Sequence, residues 1–418
     1  MTRVKEAVYR ERFGLFFFLF LSVYTFVVSG DMQLWKVDDV TYSFHVVDFS
    51  MGFCTKLLPG EFCKLLFGEP TRQEVSVYLS VLIIICYFFV GLLAGKIFTG
   101  IEKEYRFPIF VFIMFFLTGP ATFAIYVDMF CWLDFYWMFA AVLAVFCLQN
   151  KYTYIFVIPL MLLAVMSHFA SILCYIPFVA VFMLYKISVT ENKKDKIYLS
   201  AIWWIMVIIS IGLSLYMMLN EVNNVTISPQ EIKDYFSSLG IEDSRYYIFS
   251  FFRDKVQEMM PEYYLTHEAA ETVVNIDMTQ SPLNILYDII KQQIFTNKAY
   301  GSVSGDLKHF IMITPVVVFV YMAISVVFRR SKENLLKRFS LFCTGALFIF
   351  TLVAGYLFST DTIRWISHSL TPFIAMLLYI FYKESDECKN KIVGLFGKIP
   401  VTAVICYLAI YSVSINLF

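Results

Sequence analysis

The chain has 418 residues, of which 59% are hydrophobic, 19% aromatic and only 16% charged. A soluble globule holds closer to half apolar and about a quarter charged residues, so this composition excludes one and points to an all-α, polytopic integral membrane protein. The 33 basic and 33 acidic side chains cancel, which leaves no basic surface for phosphates and excludes nucleic acid as a partner.

In chain order, apolar stretches fall at 14–30, 76–95, 107–127, 131–149, 153–167, 170–185, 199–219, 309–328, 339–358, 363–382 and 399–417, about eleven in all. Most are long enough to cross a hydrocarbon core of about 30 Å. Charged residues precede the first, but no small-residue cleavage site follows Phe16–Val28, so it reads as a retained helix. The short connections on one side carry Arg3, Lys5, Arg10 and Arg12, then Lys96, Lys103 and Arg106, Lys151, Lys186 to Lys196, Arg329 to Arg338, and Lys383 to Lys398. The positive-inside rule makes that side, and the N-terminus, cytoplasmic. The acidic residues and most of the histidines then face outward.

These stretches divide the chain into a seven-span module over 1–219, a large outer loop over 220–308 and a four-span module over 309–418. The first outer loop, 31–75, is apolar but broken by Gly52 and Pro59-Gly60, and is expected to form short surface helices. The second shows helical patterning at Pro229–Leu239 and Pro282–Phe295 and is expected to be a small helical subdomain, with acceptor binding as its assigned role. Residues 153–186 are read as two short spans turning near Ser167-His168, because a single span would put Lys193–Lys196 outside. Gly119-Pro120 breaks the third span. Cys54 and Cys63 share the first outer loop and read equally well as a disulfide or as two buried thiols. No C-x-x-C pair or histidine cluster indicates zinc.

The strongest local signal is Val37-Asp38-Asp39-Val40-Thr41-Tyr42, just after the first helix. Two adjacent carboxylates here can serve as a general base for a hydroxyl or as ligands of a divalent cation. The plainer reading is a helix N-cap. His45 and Asp48 follow at helical spacing, so the polar groups are expected to share one face. Asp128, Asp134, His168 and the run Asp361-Thr362-Ile363-Arg364-Trp365-Ile366-Ser367-His368 lie at the outer ends of other spans. Ionisable groups within a membrane segment are costly and usually face a cavity or a partner. The planar fork of Arg364 suits a phosphate or carboxylate, and the alternatives are an ion pair with Asp361 or snorkelling to the interface. His168 reads either as a packed histidine or as part of a site. Asn224-Val225-Thr226 fits a glycosylation acceptor.

The layout resembles the GT-C superfamily of polytopic glycosyltransferases. The matching features are a cytoplasmic N-terminus, the first-loop acidic pair Asp38-Asp39 followed by Tyr42, short surface helices, a large outer loop after the seventh span, and a late span opening with Arg364 near Pro372. The resemblance implies a polyprenyl-phosphate-linked sugar donor, a glycan or glycolipid acceptor and an outward-facing site; the Lys-, Phe- and Tyr-rich composition and short cytoplasmic loops suit a bacterial inner or plasma membrane. It implies Asp38 or Asp39 as catalytic base or as ligand of an optional divalent cation, and Arg364 on the lipid phosphate; His168, His45, Asp361 and His368, read from their own positions, are the further candidates for holding the lipid phosphate or substrate. No sequon-reading W-W-D-type motif is present, which argues against protein N-glycosylation.

The stretch Leu133–Pro177, with Ser167-His168-Phe169-Ala170-Ser171, is similar to part of the exopolysaccharide and O-antigen repeat-unit polymerases, although those often carry an arginine where this chain has Asp134. A third reading is a non-enzymatic transporter or flippase of lipid-linked or polar solutes. The absence of internal repeats in the sequence weighs against it.

Overall fold

The computed structural model describes residues 2–28, 37–53, 56–118, 133–224, 226–241, 303–358, 362–396, 403, 406 and 407. Among them every regular element is an α-helix or a short 3₁₀ turn. The helices are α1 (Thr2–Val28), α2 (Asp39–Val46), α3 (Leu58–Phe67), α4 (Arg72–Thr99), α5 (Arg106–Thr118), α6 (Asp134–Cys147), α7 (Val157–Ser167), α8 (Tyr175–Val189), α9 (Lys193–Asn224), α10 (Pro229–Ser238), α11 (Val303–Arg330), α12 (Leu335–Phe358), α13 (Thr362–Lys383) and α14 (Asp386–Phe396).

Six segments are long and apolar enough to cross a membrane: Arg72–Thr99, Ser171–Val189, Lys193–Met217, Ile313–Arg330, Leu335–Ala354 and Trp365–Lys383. Three shorter apolar helices, Ile109–Thr118, Asp134–Cys147 and Tyr154–Ser167, occupy further predicted stretches. The expected number of about eleven full-length spans is therefore not reached among the described residues. The stretch 153–167 is shortened by a 3₁₀ turn at Tyr154–Phe156 and by the extended backbone of His168. Helix α1 opens with charged residues and is apolar only from Phe13 onward. The stretch 399–417, Gly119-Pro120, Asp128 and Pro282–Phe295 lie outside the described residues.

Residues 153–186 do form two helices. Lys186, at the end of α8, places its ammonium 4.9 Å from the ring of Tyr154, just before α7, so the chain returns to the level at which it started. The turn lies at Ser167-His168. The Ser167 hydroxyl donates back to the Leu163 carbonyl, and the His168 amide donates to Ala164 before the chain leaves the helix.

Helix α13 sits at the centre, 83% buried over its span, against α4, α5, α8, α11 and α12, whereas α9 is 28% buried. The outer faces of α9 and α12 present Trp204, Ile208, Ile211, Phe342 and Phe350, as expected where lipid is the solvent. Helices α1 and α4 touch backbone to backbone. A methyl added at Gly95 would lie 2.4 Å from the Gly14 nitrogen, and one at Gly91 would lie 2.7 Å from the Gly14 carbonyl oxygen. Gly91-Leu92-Leu93-Ala94-Gly95 is thus a small-residue interface of the GxxxG type.

The basic ends of α4, α8 and α13 gather at one end of the bundle, where Lys96 and Lys383 are the charges acting on Lys186. Helix α14, in a segment read from sequence as a basic loop, closes this end: Glu387 pairs with Arg330, and Tyr105 donates to the Asn390 side chain. Its Cys388 and Ile392, one turn apart, are buried.

Candidate functional site

The opposite end is roofed by the first connecting segment. Helix α2 begins after Asp38, whose carboxylate accepts from the Thr41 amide at 2.6 Å. That is the N-cap geometry. Asp39, in the first turn, lies 2.5 Å from the Arg72 guanidinium, which also donates to the Gly240 carbonyl and covers the Tyr42 ring at 4.8 Å.

The expected single polar face of Asp38, Asp39, His45 and Asp48 does not form, because α2 ends at Val46 after two turns. Asp48 instead caps the next 3₁₀ turn, accepting from Ser50, and pairs with Lys64 at 2.7 Å. Burial pushes its carboxyl up, but the bonds from Lys64 and Ser50 outweigh this and hold it below the usual carboxylate range.

Helix α3 closes onto this turn. Gly60 lies so near the Val47 backbone that an added methyl would overlap its carbonyl oxygen. Tyr235 of α10 donates to the Val46 carbonyl at 3.0 Å, and the Thr226 amide donates to Met51. Burial pushes the Cys63 thiol up to about 12, and it is free. Its candidate disulfide partner, Cys54, lies outside the described residues.

His45 turns away from the acidic pair into the bundle and is fully buried. Its Nδ1 is 2.6 Å from the Thr41 carbonyl and its Nε2 is 2.6 Å from the Tyr136 hydroxyl. A carbonyl only accepts, so Nδ1 carries the proton and Nε2 accepts from Tyr136. Burial pushes the imidazole down to about 4, against a smaller upward pull from the bond to Thr41. His45 is therefore neutral at physiological pH and holds the α6 N-terminus to the roof.

The first turn of α6 brings the histidines together. Asp134 Oδ2 is 3.2 Å from His368 Nε2 on α13; the imidazole is fully buried and the carboxylate 8% exposed. The two atoms are at ion-pair distance but off-line for a hydrogen bond. Trp137, one turn further, stacks on His168 at 5.6 Å with the rings 8° from parallel, and its ring also meets those of His368 at 4.8 Å and Tyr175 at 5.9 Å. Tyr175 and Trp365 complete the surround, each with its ring 5.8 Å from that of His368. Three of the chain's five histidines thus meet Asp134, Tyr136 and Trp137.

A buried carboxylate needs a positive partner or hydrogen bonds, and the His368 imidazole is the ring placed against this one. The pair can accept a proton from a hydroxyl brought against His368. The Trp137 indole N–H finds no acceptor among the described residues and is a donor available to a bound oxygen. No group of three or more His, Cys, Asp or Glu with metal-ligand geometry occurs among the described residues.

Of the residues singled out from sequence, His168 and His368 fall in this cluster, and His45 reaches its edge through Tyr136. Asp38 and Asp39 are engaged with the Thr41 amide and with Arg72. Arg364 lies in the first turn of α13, and Asp361 lies outside the described residues. Sequence reasoning placed Asp134 at the outer end of a span but assigned it no role, and it took Trp137 for a lipid-facing or interfacial belt residue, whereas the side chain is buried inside the bundle. The available signal was an acidic residue opening an otherwise apolar helix, Asp134-Phe135-Tyr136-Trp137. The chain matches no protein-family model, no curated protein and no solved structure.

Proposed function

We propose that the chain is an integral membrane glycosyltransferase that uses a polyprenyl-phosphate-linked sugar at the outer face of a bacterial inner membrane, with Asp134 and His368 as its acid–base pair. The observation that carries this reading is the buried contact of 3.2 Å between their side chains, at the bundle end away from the lysines, beside the rings of Trp137, Tyr175 and Trp365 and a second histidine.

In this reading His368 takes the proton from the acceptor hydroxyl. The acceptor oxygen bonds to the anomeric carbon while the bond to the lipid phosphate breaks, and the phosphate leaves with the electron pair. Asp134 stabilises the imidazolium that forms, an interaction strengthened by the low dielectric of the site. Trp137 and Tyr175 supply flat walls for a sugar ring. Arg364, four residues before His368 on α13, is the cation assigned to the departing phosphate.

Within this class the repeat-unit polymerase is favoured over single-sugar transfer. The gathered His168 comes from the part of Leu133–Pro177 similar to those polymerases, although Asp134 stands where they often carry an arginine, whereas the first-loop acidic pair on which the GT-C likeness rests is engaged elsewhere.

The test is transfer by purified protein from radiolabelled polyprenyl-phosphate monosaccharides and from lipid-linked oligosaccharides. A ladder of products from the oligosaccharide donor, lost in His368→Gln, is the expected outcome. Single additions from the monosaccharide donor would select simple transfer. Absence of transfer from every donor by folded protein, with flipping of a lipid-linked sugar unchanged in Asp134→Asn, would overturn the enzymatic reading.

A further inference from the structure

A cavity of about 130 Å³ runs through the bundle among α4, α5, α6, α8 and α13. At one end it reaches Tyr175 and Thr371, beneath His368; at the other it reaches Lys96, Gln149 and Tyr382. Between them the walls are apolar, with Val90, Ile113, Ala141, Phe178 and Ala375 among the lining. An apolar cavity of this size does not hold ordered water; it either stays empty at a cost in stability or takes up an apolar molecule.

Its basic end has an unusual charge balance. Lys186 is 9% exposed, and its ammonium is held by the Leu148 carbonyl, one residue before Gln149, and by the Tyr154 ring. The charges that act on it are Lys383 and Lys96, both positive. Lys383 follows Tyr382 and lies over that ring at 4.8 Å, and the Lys96 ammonium donates to the Gln149 side chain at 3.2 Å. No carboxylate is within ion-pair distance of Lys186 or Lys383 among the described residues. The nearby acid Glu384 is engaged by Lys337 at 2.6 Å. Buried charge of one sign is costly unless an opposite charge meets it, and Lys186 is too enclosed to reach the headgroups around the bundle as a snorkelling lysine does.

We infer that this cavity is a binding site for an anionic glycerophospholipid, with the phosphate at Lys96, which lines the cavity, beside Lys186 and Lys383, which lie outside the lining, and with a short segment of one acyl chain lying among α4, α6, α8 and α13. Charge complementarity selects the anionic headgroup, and the apolar walls select the chain. Basic pockets between membrane helices bind anionic lipid in this way. The inference rests on the cavity and the lysines alone and stands whether or not the chain transfers sugars.

Protein purified in detergent and washed free of surface lipid is incubated with phosphatidylglycerol or with phosphatidylcholine of the same chains and read by native mass spectrometry. One phosphatidylglycerol per chain is expected, preferred over phosphatidylcholine by about tenfold or more, with Lys96→Gln and Lys383→Gln each weakening it about fivefold, the effect of one basic residue facing a lipid phosphate.

Ala141→Phe and the milder Ala375→Leu fill the cavity and are expected to expel the lipid without lowering the thermal midpoint. Equal retention of the two lipids, or retention unmoved by either set of substitutions, overturns the proposal. Inorganic phosphate raising the midpoint as far as phosphatidylglycerol does would assign the lysines to a soluble anion instead, and would equally overturn it.

Discussion

Two helices near the non-basic end of the bundle open with aspartate, and they differ in what faces the carboxylate. At α2 the acidic pair meets a backbone amide and an arginine at the surface, Asp38 on Thr41 and Asp39 on Arg72. At α6 the single carboxylate of Asp134 is buried against an imidazole on a distant helix. Both gain from the positive end of a helix dipole, so position in the helix does not separate them. Burial does. A carboxylate matched to fixed donors at the surface has its negative charge balanced and lowers no barrier by moving a proton. One facing an imidazole out of water can hold that ring in place for proton transfer.

The largest expected effect follows from that contrast. His368→Gln and Asp134→Asn should each lower the transfer rate by about 10²–10⁴-fold, the usual worth of a general acid–base group. Asp38→Asn and Asp39→Asn should leave it within a few-fold. A His368→Gln rate near that of the wild type would sink the acid–base role. Collapse in Asp38→Asn with the helix intact by circular dichroism would return catalysis to the acidic pair. A pH–rate profile that loses one limb in Asp134→Asn separates proton transfer from a packing defect.

His45 ties the two regions together and gives the next largest effect. Its imidazole is pushed down to about 4 in the fold from an ordinary 6.5. The unfolded chain therefore binds the extra proton first, and stability falls as pH drops from about 6.5 towards about 4. A shift of this size corresponds to at most about 3 kcal/mol. Asp48, held below the carboxylate range by Lys64 and Ser50, adds its own loss only at lower pH. Thermal midpoints measured between pH 7 and pH 4 should fall in the wild type and fall less in His45→Gln. Identical slopes would show that His45 is not the neutral link between α2 and α6.

Much of the scaffold is legible in the sequence because it depends on local pattern. The apolar stretches locate the helices from α4 to α9 and from α11 to α13, Ser228-Pro229 with Glu231 builds the capping box of α10, and the break at Ser167-His168 falls where the charge rule requires a turn. Two further signals were present but are quieter. Gly91 and Gly95, spaced as an interface, receive Gly14 of α1. In α14 the buried Cys388 and Ile392 are one turn apart within a strongly charged segment. The site is less legible, because its core contact joins Asp134 to His368 across most of the chain, and no local spacing encodes that pairing. Adjacent carboxylates draw attention in a sequence, yet Asp38 and Asp39 are explained by capping and by Arg72. A lone aspartate opening an apolar helix is the costlier residue to bury and carries the stronger signal.

The smallest effects sharpen the contrast from the surface side. Asp38→Ala removes the cap from the Thr41 amide and should lower stability by about 1 kcal/mol. Asp39→Asn breaks a partly exposed ion pair with Arg72 and should lower it by less than about 1 kcal/mol. Salt should erase most of the second effect and little of the first, since screening acts on exposed charge pairs and not on a short hydrogen bond to a backbone amide. Chemical denaturation at low and at high ionic strength measures both. A loss of several kcal/mol in Asp39→Asn that survives high salt would mean that its carboxylate is engaged beyond Arg72, and the acidic pair would then belong with Asp134 rather than opposite it.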